Sequence, residues 1–578
     1  MVHEKQCPST APYGRNNNSP GVIIVGAGLA GNRDFIILEK GSQVGGTWND
    51  NVFPGCCCDV LSHLYSYSFE PNPHWSREYP GQEEIREYII GVAHKWGLYK
   101  HVRFNSQVEE ARWNERTNKW QVNIKRLGGT EREIAEVYHA TADFLISAVG
   151  QLSRPRYPDI KGLDTFEGKI MHSARWDWDY DLRNARVGVI GTGATAAQII
   201  PEVAKHAGQL EVFQRTPTYV MPRHDEPISP SRQAMYKYLP FARRRYRAAL
   251  MDFRESAFEG SFDPTGGKHQ MVTTISQNHM LSQLPGPDYA ELRRQLSPDY
   301  PFSCKRIIVS DDLYPAFTRR NVHLDTRRIA EITSSGVTMQ DGTHHALDLL
   351  ILATGFHANE FLQPIRIIGR NSASLSFIWS KGAFAHLGMT VPALPNFAML
   401  YGPNTNLAYN SEILQIEAQS MYIQRLIRAV LASKTATSTS HAIEEGKKCK
   451  KGIAITPKFD VTEEYNEKLQ DVLSKSTYAN PACTSWFKNE NGKIINNWSG
   501  SAVDYQKRVC FLDWGDYDVE GEGSEEVQKR GVERWSRIVE ETQVDGEWLK
   551  IGAAWLGLVV MGGIWQLADG GVGRLIGL

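Results

Sequence analysis

Two glycine-rich turns, each placed directly after a continuous apolar run, constrain the fold of this sequence more than any other feature. The first, GAGLAG, occupies residues 26–31 and follows VIIV; the second, GTGATA, occupies residues 191–196 and follows VGVI. Runs that are apolar at every position suit strands buried on both faces, as in parallel sheets covered by helices. Residues 144–147 (FLIS) and 349–352 (LLIL) repeat this design. The pattern predicts an α/β protein of doubly wound type.

The spacing of the glycines predicts phosphate binding at both turns. In the GxGxxG/A pattern the first position allows a tight turn, the second lets the backbone approach a pyrophosphate, and the third permits close packing. These positions are Gly26, Gly28 and Gly31 in the first turn and Gly191, Gly193 and Ala196 in the second. We therefore expect two Rossmann-like domains and two dinucleotide cofactors.

The residue that ends the second strand of each unit indicates which dinucleotide it holds. In the first unit, residues 35–38 lead to Glu39, whose carboxylate can accept hydrogen bonds from a ribose. In the second unit, residues 210–213 lead to Arg215 and Thr216, with no acid at that point. An arginine there can pair with a 2′-phosphate, so the sequence predicts NADPH in the second unit, with FAD as its usual companion in the first. A solvated arginine at a strand end is the alternative.

Composition divides the chain further. Residues 229–298 are polar, rich in Arg and Gln and helical in pattern, which indicates an insertion. After about residue 500 an acidic stretch and then an apolar tail follow. We expect an FAD-binding domain from residues 20–150 and 351–505, an NADPH-binding domain from 151–228 and 299–350, the helical insertion 229–298, and a C-terminal extension 506–578.

Charge and cysteine content exclude several classes of protein. The 64 basic residues nearly balance the 65 acidic ones, so nothing indicates nucleic-acid binding. No apolar stretch precedes the first strand, which argues against a secretory signal. Three of the eight cysteines are adjacent, at 56–58, and adjacent side chains cannot converge on one metal ion. We expect a cytoplasmic protein with reduced cysteines and no metal site.

A longer motif lies between the two turns. Residues 166–177 (FEGKIMHSARWD) match the pattern FxGxxxHxxxW(P/D) at Phe166, Gly168, His172, Trp176 and Asp177. In this fingerprint and its position the chain resembles the type I Baeyer–Villiger monooxygenases of the flavin-containing monooxygenase superfamily. The resemblance implies that the fingerprint sits at the domain linkers and couples NADPH binding to domain movement. A structural histidine tied to the backbone is at least as compatible with His172 as a catalytic base.

Other segments resemble the same family in the same order. GGTW, which includes Thr47 and Trp48, and FPGCCCD, which ends at Asp59, resemble segments beside the flavin ring. A late segment, CTSW, ends at Trp486 and is similar to that of fungal members acting on polyketide-type ketones, which implies secondary metabolism. The resemblance implies cofactor contacts for these residues, although core packing explains the two tryptophans equally well.

The resemblance also implies a reaction and a role for its charged residues. In this family NADPH reduces FAD, the reduced flavin reacts with O2, and one oxygen atom is inserted next to a ketone carbonyl to give an ester or lactone. Arg306 would stabilise the negative charge of this reaction, and Asp59 would orient Arg306 through an ion pair. Lys305 would meet the 2′-phosphate beside Arg215. A solvated Lys-Arg pair is the alternative.

The chain departs from the family directly after the first turn. Only Asn32, Arg33 and Asp34 separate Gly31 from the next strand, whereas a crossover between parallel strands needs about ten to twelve residues, usually with a helix. A segment of roughly fifteen to twenty residues is missing relative to a βαβ unit, through a missed exon or a true shortening. We expect this chain to bind FAD poorly or not at all, and one face of the first sheet to lack its apolar cover.

The C-terminal tail is the other departure. Residues 551–568 are apolar except for Gln566, and eighteen residues is the lower limit for crossing a bilayer. The tail either contacts a membrane as an anchor or docks as a helix on the protein body.

Three alternative functions follow from these observations. Another flavin monooxygenase, acting on a nitrogen, sulfur or aldehyde centre, is disfavoured by the WD ending of the fingerprint and by the Lys305-Arg306 segment. A dithiol reductase needs a spaced cysteine pair near the flavin, which residues 56–58 do not provide. A non-catalytic protein that has lost FAD is favoured by the short connection after Gly31.

Overall fold

Two parallel sheets form the centre of the molecule. The computed structural model describes residues 19–26, 34–128, 137–438 and 451–534. In pairing order, the strands of the first sheet are Phe397–Met399, Phe144–Ser147, Val22–Val25, Phe35–Leu38 and Val102–Arg103. Those of the second sheet are Val322–Asp325, Gln209–Phe213, Arg186–Ile190, Leu349–Leu352 and Lys169–His172. Every pairing within them is parallel, which confirms the predicted α/β fold with two Rossmann-like units.

Apolar side chains on both faces explain why the first sheet is central. Val22 and Ile24 pack in one hydrophobic cluster with the helix Glu412–Ser438, whereas Ile23 and Val25 pack on the opposite face against an antiparallel meander. The prediction that one face lacks apolar cover is therefore wrong. A helix from a distant part of the chain supplies the cover that a local helix gives in an ordinary βαβ unit.

Smaller sheets surround the two parallel ones. The meander consists of Ser106–Asn114, Lys119–Arg126 and Val137–Ala142, with Arg366–Ile368 at its edge. The others are Ile329–Thr333 with Gly336–Met339 and His344–Ala346, Val220–Met221 with Ile308–Val309, Ala454–Pro457 with Tyr517–Glu520, and Phe511–Asp513 with Val532–Arg534.

The segment predicted as an insertion is helical. It contains Pro230–Tyr238, Pro240–Phe262, Gly267–Gln283 and Ala290–Leu296. Ser229 begins the first of these helices, since its hydroxyl accepts the N–H of Arg232 at 3.3 Å. The other α-helices of the described chain are Thr47–Asp50, Gln82–Lys95, Ala194–Val203, Leu313–Ala316, Leu375–Ile378, Glu412–Ser438, Phe459–Ser474, Ala502–Val509 and Ser524–Gln528.

Several of the described residues after 506 pack in the core of the first sheet. Leu512, Trp514 and Tyr517 are fully buried in the cluster that contains the helix Glu412–Ser438. These residues of the expected extension therefore pack in the first core. The apolar tail at 551–568 lies outside the described residues. Within them, no helix is both long and apolar enough to cross a membrane.

A disulfide joins Cys304 to Cys483. The expectation that all cysteines are reduced is therefore wrong for this pair. The two residues are 179 positions apart in the sequence, and this spacing does not predict the bond. Among the described residues, four other cysteines are free thiols: Cys56, Cys57, Cys58 and Cys510.

Candidate active site

A cavity of about 3200 Å³ opens where the carboxyl ends of the two sheets meet. Residues that follow four strands directly lie on its wall: Ala148 and Leu400 from the first sheet, and Gly191 and Ala353 from the second. Parallel α/β sheets bind ligands at this edge. Pockets for one small ligand measure about 300–1,000 Å³. This cavity is large enough for more than one cofactor and a substrate.

The two units are equivalent at the first glycine of each turn. Gly26 has φ 90° and Gly191 has φ 113°, a region that favours glycine. Each donates its N–H to the strand beside it, to Leu38 O at 3.0 Å and to Phe213 O at 3.1 Å. A β-carbon would lie 2.4 Å from a backbone carbonyl oxygen at the first turn and 2.6 Å at the second. Both positions therefore require glycine.

The second turn faces the cavity with free N–H groups. Gly191 and Gly193 are on the wall, and no side chain caps the helix Ala194–Val203 that begins there. Uncapped N–H groups at a helix start attract phosphate. Ala196 is fully buried in the cluster of the second sheet, where a small residue allows the helix to approach the strands.

Two cations stand on the same wall as the second turn. Arg215, Thr216 and Lys305 all line the cavity. Burial and the nearby charge of Arg215 lower the pKa of Lys305, with Asp299 opposing them. Among the described residues neither cation forms an ion pair. Two cations that lack carboxylate partners form a suitable site for a phosphate dianion.

Arg306 and Asp59 form a bidentate ion pair on the cavity wall. Arg306 Nε lies 3.1 Å from Asp59 Oδ2, and Nη2 lies 2.8 Å from Oδ1 and 2.7 Å from Oδ2. Burial acts to raise the pKa of Asp59, but the charge and hydrogen bonds of Arg306 hold it below its usual value. The wall therefore carries a guanidinium cation whose orientation is fixed by an ionised carboxylate. The structure thus brings together the two residues that were expected to form a pair.

The helical insertion contributes to this ion pair through Arg254. Arg254 Nη2 donates to the backbone oxygen of Asp59 at 2.9 Å. Arg254 lies on the helix Pro240–Phe262. Sequence reasoning missed this contact because one arginine among many in a helical segment has no distinguishing signal.

Glu412 is a second residue near the Arg306–Asp59 pair that no sequence pattern indicates. It lies on the cavity wall, and its Oε1 accepts the N–H of Leu407 at 3.0 Å. Its other oxygen, Oε2, is buried without a hydrogen-bond partner among the described residues. Burial raises the pKa of Glu412 to about 8, although the charge of Arg306 opposes this shift. At neutral pH it is mainly a neutral acid beside the charged pair of Arg306 and Asp59.

The fingerprint histidine lies beside the two linkers between the sheets. The linkers pair through the N–H of Arg156, which donates to Gly355 O at 2.9 Å. His172 Nδ1 accepts the N–H of Ala174 at 3.1 Å. Burial lowers the pKa of His172, and backbone groups of Gly355 and Arg156 partly offset this effect. This geometry favours a structural histidine over a catalytic base.

The remaining fingerprint residues pack or pair locally. A β-carbon on Gly168 would lie 2.5 Å from the Phe166 ring, so the glycine is needed for this ring to pack. Trp176 contacts the cluster of the second sheet. Asp177 Oδ2 lies 2.6 Å from Lys169 Nζ in a partly exposed ion pair.

The residues predicted beside the flavin also reach the cavity. Thr47, Trp48 and Trp486 lie on its wall. Trp48 is nearly buried, and its Nε1 donates to the hydroxyl of Tyr65 at 3.1 Å. Trp48 therefore packs in the core and also lines the cavity, whereas the side chain of Trp486 is only half-buried.

The ribose end of the first unit does not open into the cavity. Glu39 follows its strand as predicted, is buried, and accepts the N–H of Gly41 at 2.7 Å. Neither Gly26 nor Glu39 is on the cavity wall, although both belong to the described chain. Gly28 and Gly31 lie outside the described residues.

The adjacent cysteines are half-buried (Cys56, Cys57) or buried (Cys58) thiols of low reactivity. Burial raises the pKa of Cys56 to about 12 and that of Cys57 to about 11. Thiols with such pKa values are poor nucleophiles at neutral pH. The structure therefore provides no support for dithiol chemistry at residues 56–58.

Comparison with known proteins identifies relatives along most of the chain. Flavin-binding monooxygenase-like proteins match as a family over residues 36–249. The FAD-binding monooxygenase ktnD of Aspergillus niger is 44% identical over 545 residues, which cover 92% of this chain and 87% of that protein. A Baeyer-Villiger monooxygenase of Streptomyces coelicolor is 37% identical and covers 84% of this chain and 88% of its own length.

Solved structures agree with these relatives. A steroid monooxygenase bound to NADP aligns with a TM-score of 0.71 at 27% identity, over 90% of this chain and 100% of that one. The open form of a cyclohexanone monooxygenase aligns with a TM-score of 0.69 at 25% identity, over 90% of this chain and 100% of that one.

Proposed function

Because this chain belongs to the Baeyer–Villiger monooxygenases, we propose that it uses FAD, NADPH and O2 to insert one oxygen atom next to a ketone carbonyl. The product is an ester or a lactone. Bound FAD supplies the hydride acceptor and the reaction with O2, and the protein supplies position and charge. The fungal relative supports a substrate from secondary metabolism.

The Arg306–Asp59 pair is the observation that carries this proposal. Oxygen insertion next to a carbonyl develops negative charge on oxygen, and a preoriented cation stabilises such charge without reorganising. Arg306 offers a fixed cation on the wall of a cavity lined by residues from both sheets. We assign charge stabilisation to Arg306 and its orientation to Asp59 and Arg254.

Residues of the second unit fit NADPH. Gly191 would form the tight turn, Gly193 and the N–H groups that begin the helix Ala194–Val203 would bind the pyrophosphate, and Arg215 with Lys305 would bind the 2′-phosphate. His172 would keep the two linkers in register while the nucleotide binds.

The test uses the full chain supplied with excess FAD. Ketones, sulfides and tertiary amines are offered in parallel with NADPH, and products are identified by mass spectrometry. We expect esters or lactones from ketones, and their loss in Arg306→Ala but not in Arg183→Ala, whose arginine pairs with the exposed Asp181. Flavin-loaded protein that forms only sulfoxides or N-oxides would support the alternative monooxygenase instead.

The short first connection favours a second candidate, a protein that holds NADPH but has lost FAD. Only nine residues, 26–34, join the strands Val22–Val25 and Phe35–Leu38, which pair in parallel. The flavin content of the purified chain distinguishes this candidate from an active oxygenase.

A further inference from the structure

A covalent bond joins two segments of the cavity wall. Cys304 directly precedes Lys305 and Arg306, and Cys483 lies in the loop 481–486, which ends at Trp486. The Cα atoms of the two cysteines are 6.2 Å apart. Lys305, Arg306, Cys483 and Trp486 all line the cavity. The bond therefore connects the loop of Trp486 to the residues that we assign to NADPH and to charge stabilisation.

The loop at 481–486 has few other ties to this wall. Its hydrogen bonds are local, such as that from the N–H of Ala482 to Asn480 Oδ1 at 2.9 Å. Within the described chain none of them reaches residues 300–306. Three of its residues are exposed to solvent: Pro481, Ala482 and Thr484. Trp486, at the end of the loop, packs against the cluster around Phe487. Toward residues 300–306, the contacts of the loop are the disulfide and the packing of Cys483 beside Tyr300.

Lys305 and Arg306 differ in how firmly other contacts hold them. Arg306 is fixed by its bidentate pair with Asp59. Among the described residues, Lys305 has no direct polar partner: its ammonium group lies 4.5 Å from the ring centre of Tyr300, with the charges of Arg215 and Asp299 nearby. Loss of the covalent tie should therefore displace Lys305 more than Arg306.

We propose that the Cys304–Cys483 disulfide is a positioning element for the NADPH-facing wall, and that its reduction weakens NADPH binding. A dithiol reductant supplies two electrons and two protons: the S–S bond breaks, both cysteines become thiols, and the reductant closes its own disulfide. The two cysteines are 0% and 2% exposed, so exchange requires the loop to lift. The identity of the nucleotide is the one point at which this inference rests on the proposed function.

Thiol mapping and proteolysis test the tether without any turnover. In full-length protein purified without reductant, Cys304 and Cys483 should resist alkylation in denaturant and become labelled only after treatment with dithiothreitol. Reduction should speed proteolytic cleavage at residues 481–484, and NADP⁺ should slow the reduction itself. Labelling of both Cys304 and Cys483 in the untreated protein would overturn the proposal.

Binding measurements test the positioning role. Reduction of the wild type should raise the Kd for NADP⁺ roughly five- to tenfold, a common size for coupling within a protein. The kcat at saturating NADPH should stay close to its original value. Cys304→Ser/Cys483→Ser should show the raised Kd permanently and no response to dithiothreitol. Cys510→Ser, which removes a buried free thiol, should respond like the wild type.

The outcomes separate this inference from the proposed function. An unchanged Kd and cleavage rate after complete reduction would overturn it. If the double variant does not fold, reduction and reoxidation of the wild type test the same positioning role, because reoxidation must restore the original Kd. Protein that shows the redox-dependent Kd but oxidises no ketone would contradict the proposed function and leave the tether standing.

Discussion

Arg306 binds Asp59 through Nε and Nη2, and its third nitrogen, Nη1, has no hydrogen-bond partner among the described residues. A guanidinium can bind one anion along one edge and present its remaining N–H groups to another. The two residues are 247 positions apart. Their contact places a charged donor at the junction of the two sheets.

Removing this donor should abolish oxygen insertion. We expect Arg306→Ala to lower ketone oxygenation about 100-fold or more, because the developing charge loses its cation. Flavin reduction by NADPH should persist, since the second turn, Arg215 and Lys305 are unchanged. Stopped-flow absorbance follows the reduction, and product analysis follows the oxygenation. Arg306→Lys keeps the positive charge but loses the two-pronged guanidinium, so its rate of ketone oxygenation should lie between those of the wild type and Arg306→Ala. Near-normal product formation by Arg306→Ala would refute the assignment.

Arg215 should select NADPH over NADH. Its charge-assisted bond to the 2′-phosphate is worth about 1.5–3 kcal/mol, so Arg215→Ala should lower kcat/KM for NADPH roughly 10- to 100-fold. The value for NADH should hardly change, because NADH has no 2′-phosphate. Steady-state kinetics with both nucleotides decide the matter, and equal efficiency in the wild type would contradict the role. Lys468→Ala, which removes an exposed cation paired with Glu464 on a helix away from the cavity wall, is the control.

Glu412 should make stability depend on pH. Its pKa is about 8 in the folded protein, raised by burial from an ordinary 4.5. Between these two values Glu412 keeps its proton in the folded chain but not in the unfolded chain. The free energy of unfolding therefore falls as pH rises from 4.5 to 8, by at most about 1.4 kcal/mol per pH unit. Glu412→Gln cannot ionise.

The melting temperature of Glu412→Gln relative to wild type should therefore increase between pH 5 and pH 9. The exposed Glu291→Gln serves as the control. The titratable groups that face Glu412 are Arg306, Asp59, Tyr401 and Tyr478. These four residues must be the same in the two proteins that are compared. A constant difference across this range would show that Glu412 is ionised throughout.

Local patterns predicted the two parallel sheets, the turns at Gly26 and Gly191 and the helical insertion, because apolar runs and glycine spacing are properties of neighbouring residues. The resemblance supplied Arg306 and Asp59 as a pair. Arg254, Glu412 and the Cys304–Cys483 bond were not predictable, since each depends on a contact between distant segments. The apolar cover of the first sheet was mispredicted for the same reason: it comes from the helix Glu412–Ser438.

The first connection should limit FAD binding. The strands Val22–Val25 and Phe35–Leu38 pair in parallel, so the chain from Gly26 to Asp34 must return the length of a strand, roughly 13 Å. That leaves too few residues for a helix with free N–H groups at the pyrophosphate. We expect low flavin absorbance per polypeptide in the chain as it stands.

Restoring a helical segment of about fifteen to twenty residues between Gly31 and Phe35 should recover flavin-loaded protein, since it supplies the missing crossover helix. A Gly/Ser insert of equal length should not, because it provides reach without a helix. Stoichiometric FAD in the unmodified chain would show that another segment performs this role.

Isotope labelling tests the proposed reaction most directly. Flavin-loaded protein, from the present chain with excess FAD or from the helix-restored variant, is given a ketone, NADPH and ¹⁸O₂, and the product is analysed by mass spectrometry. We predict an ester or lactone that carries a single ¹⁸O atom, formed in step with NADPH oxidation. NADPH consumption that yields only hydrogen peroxide, or a product without label, would contradict ketone oxygenation by this protein.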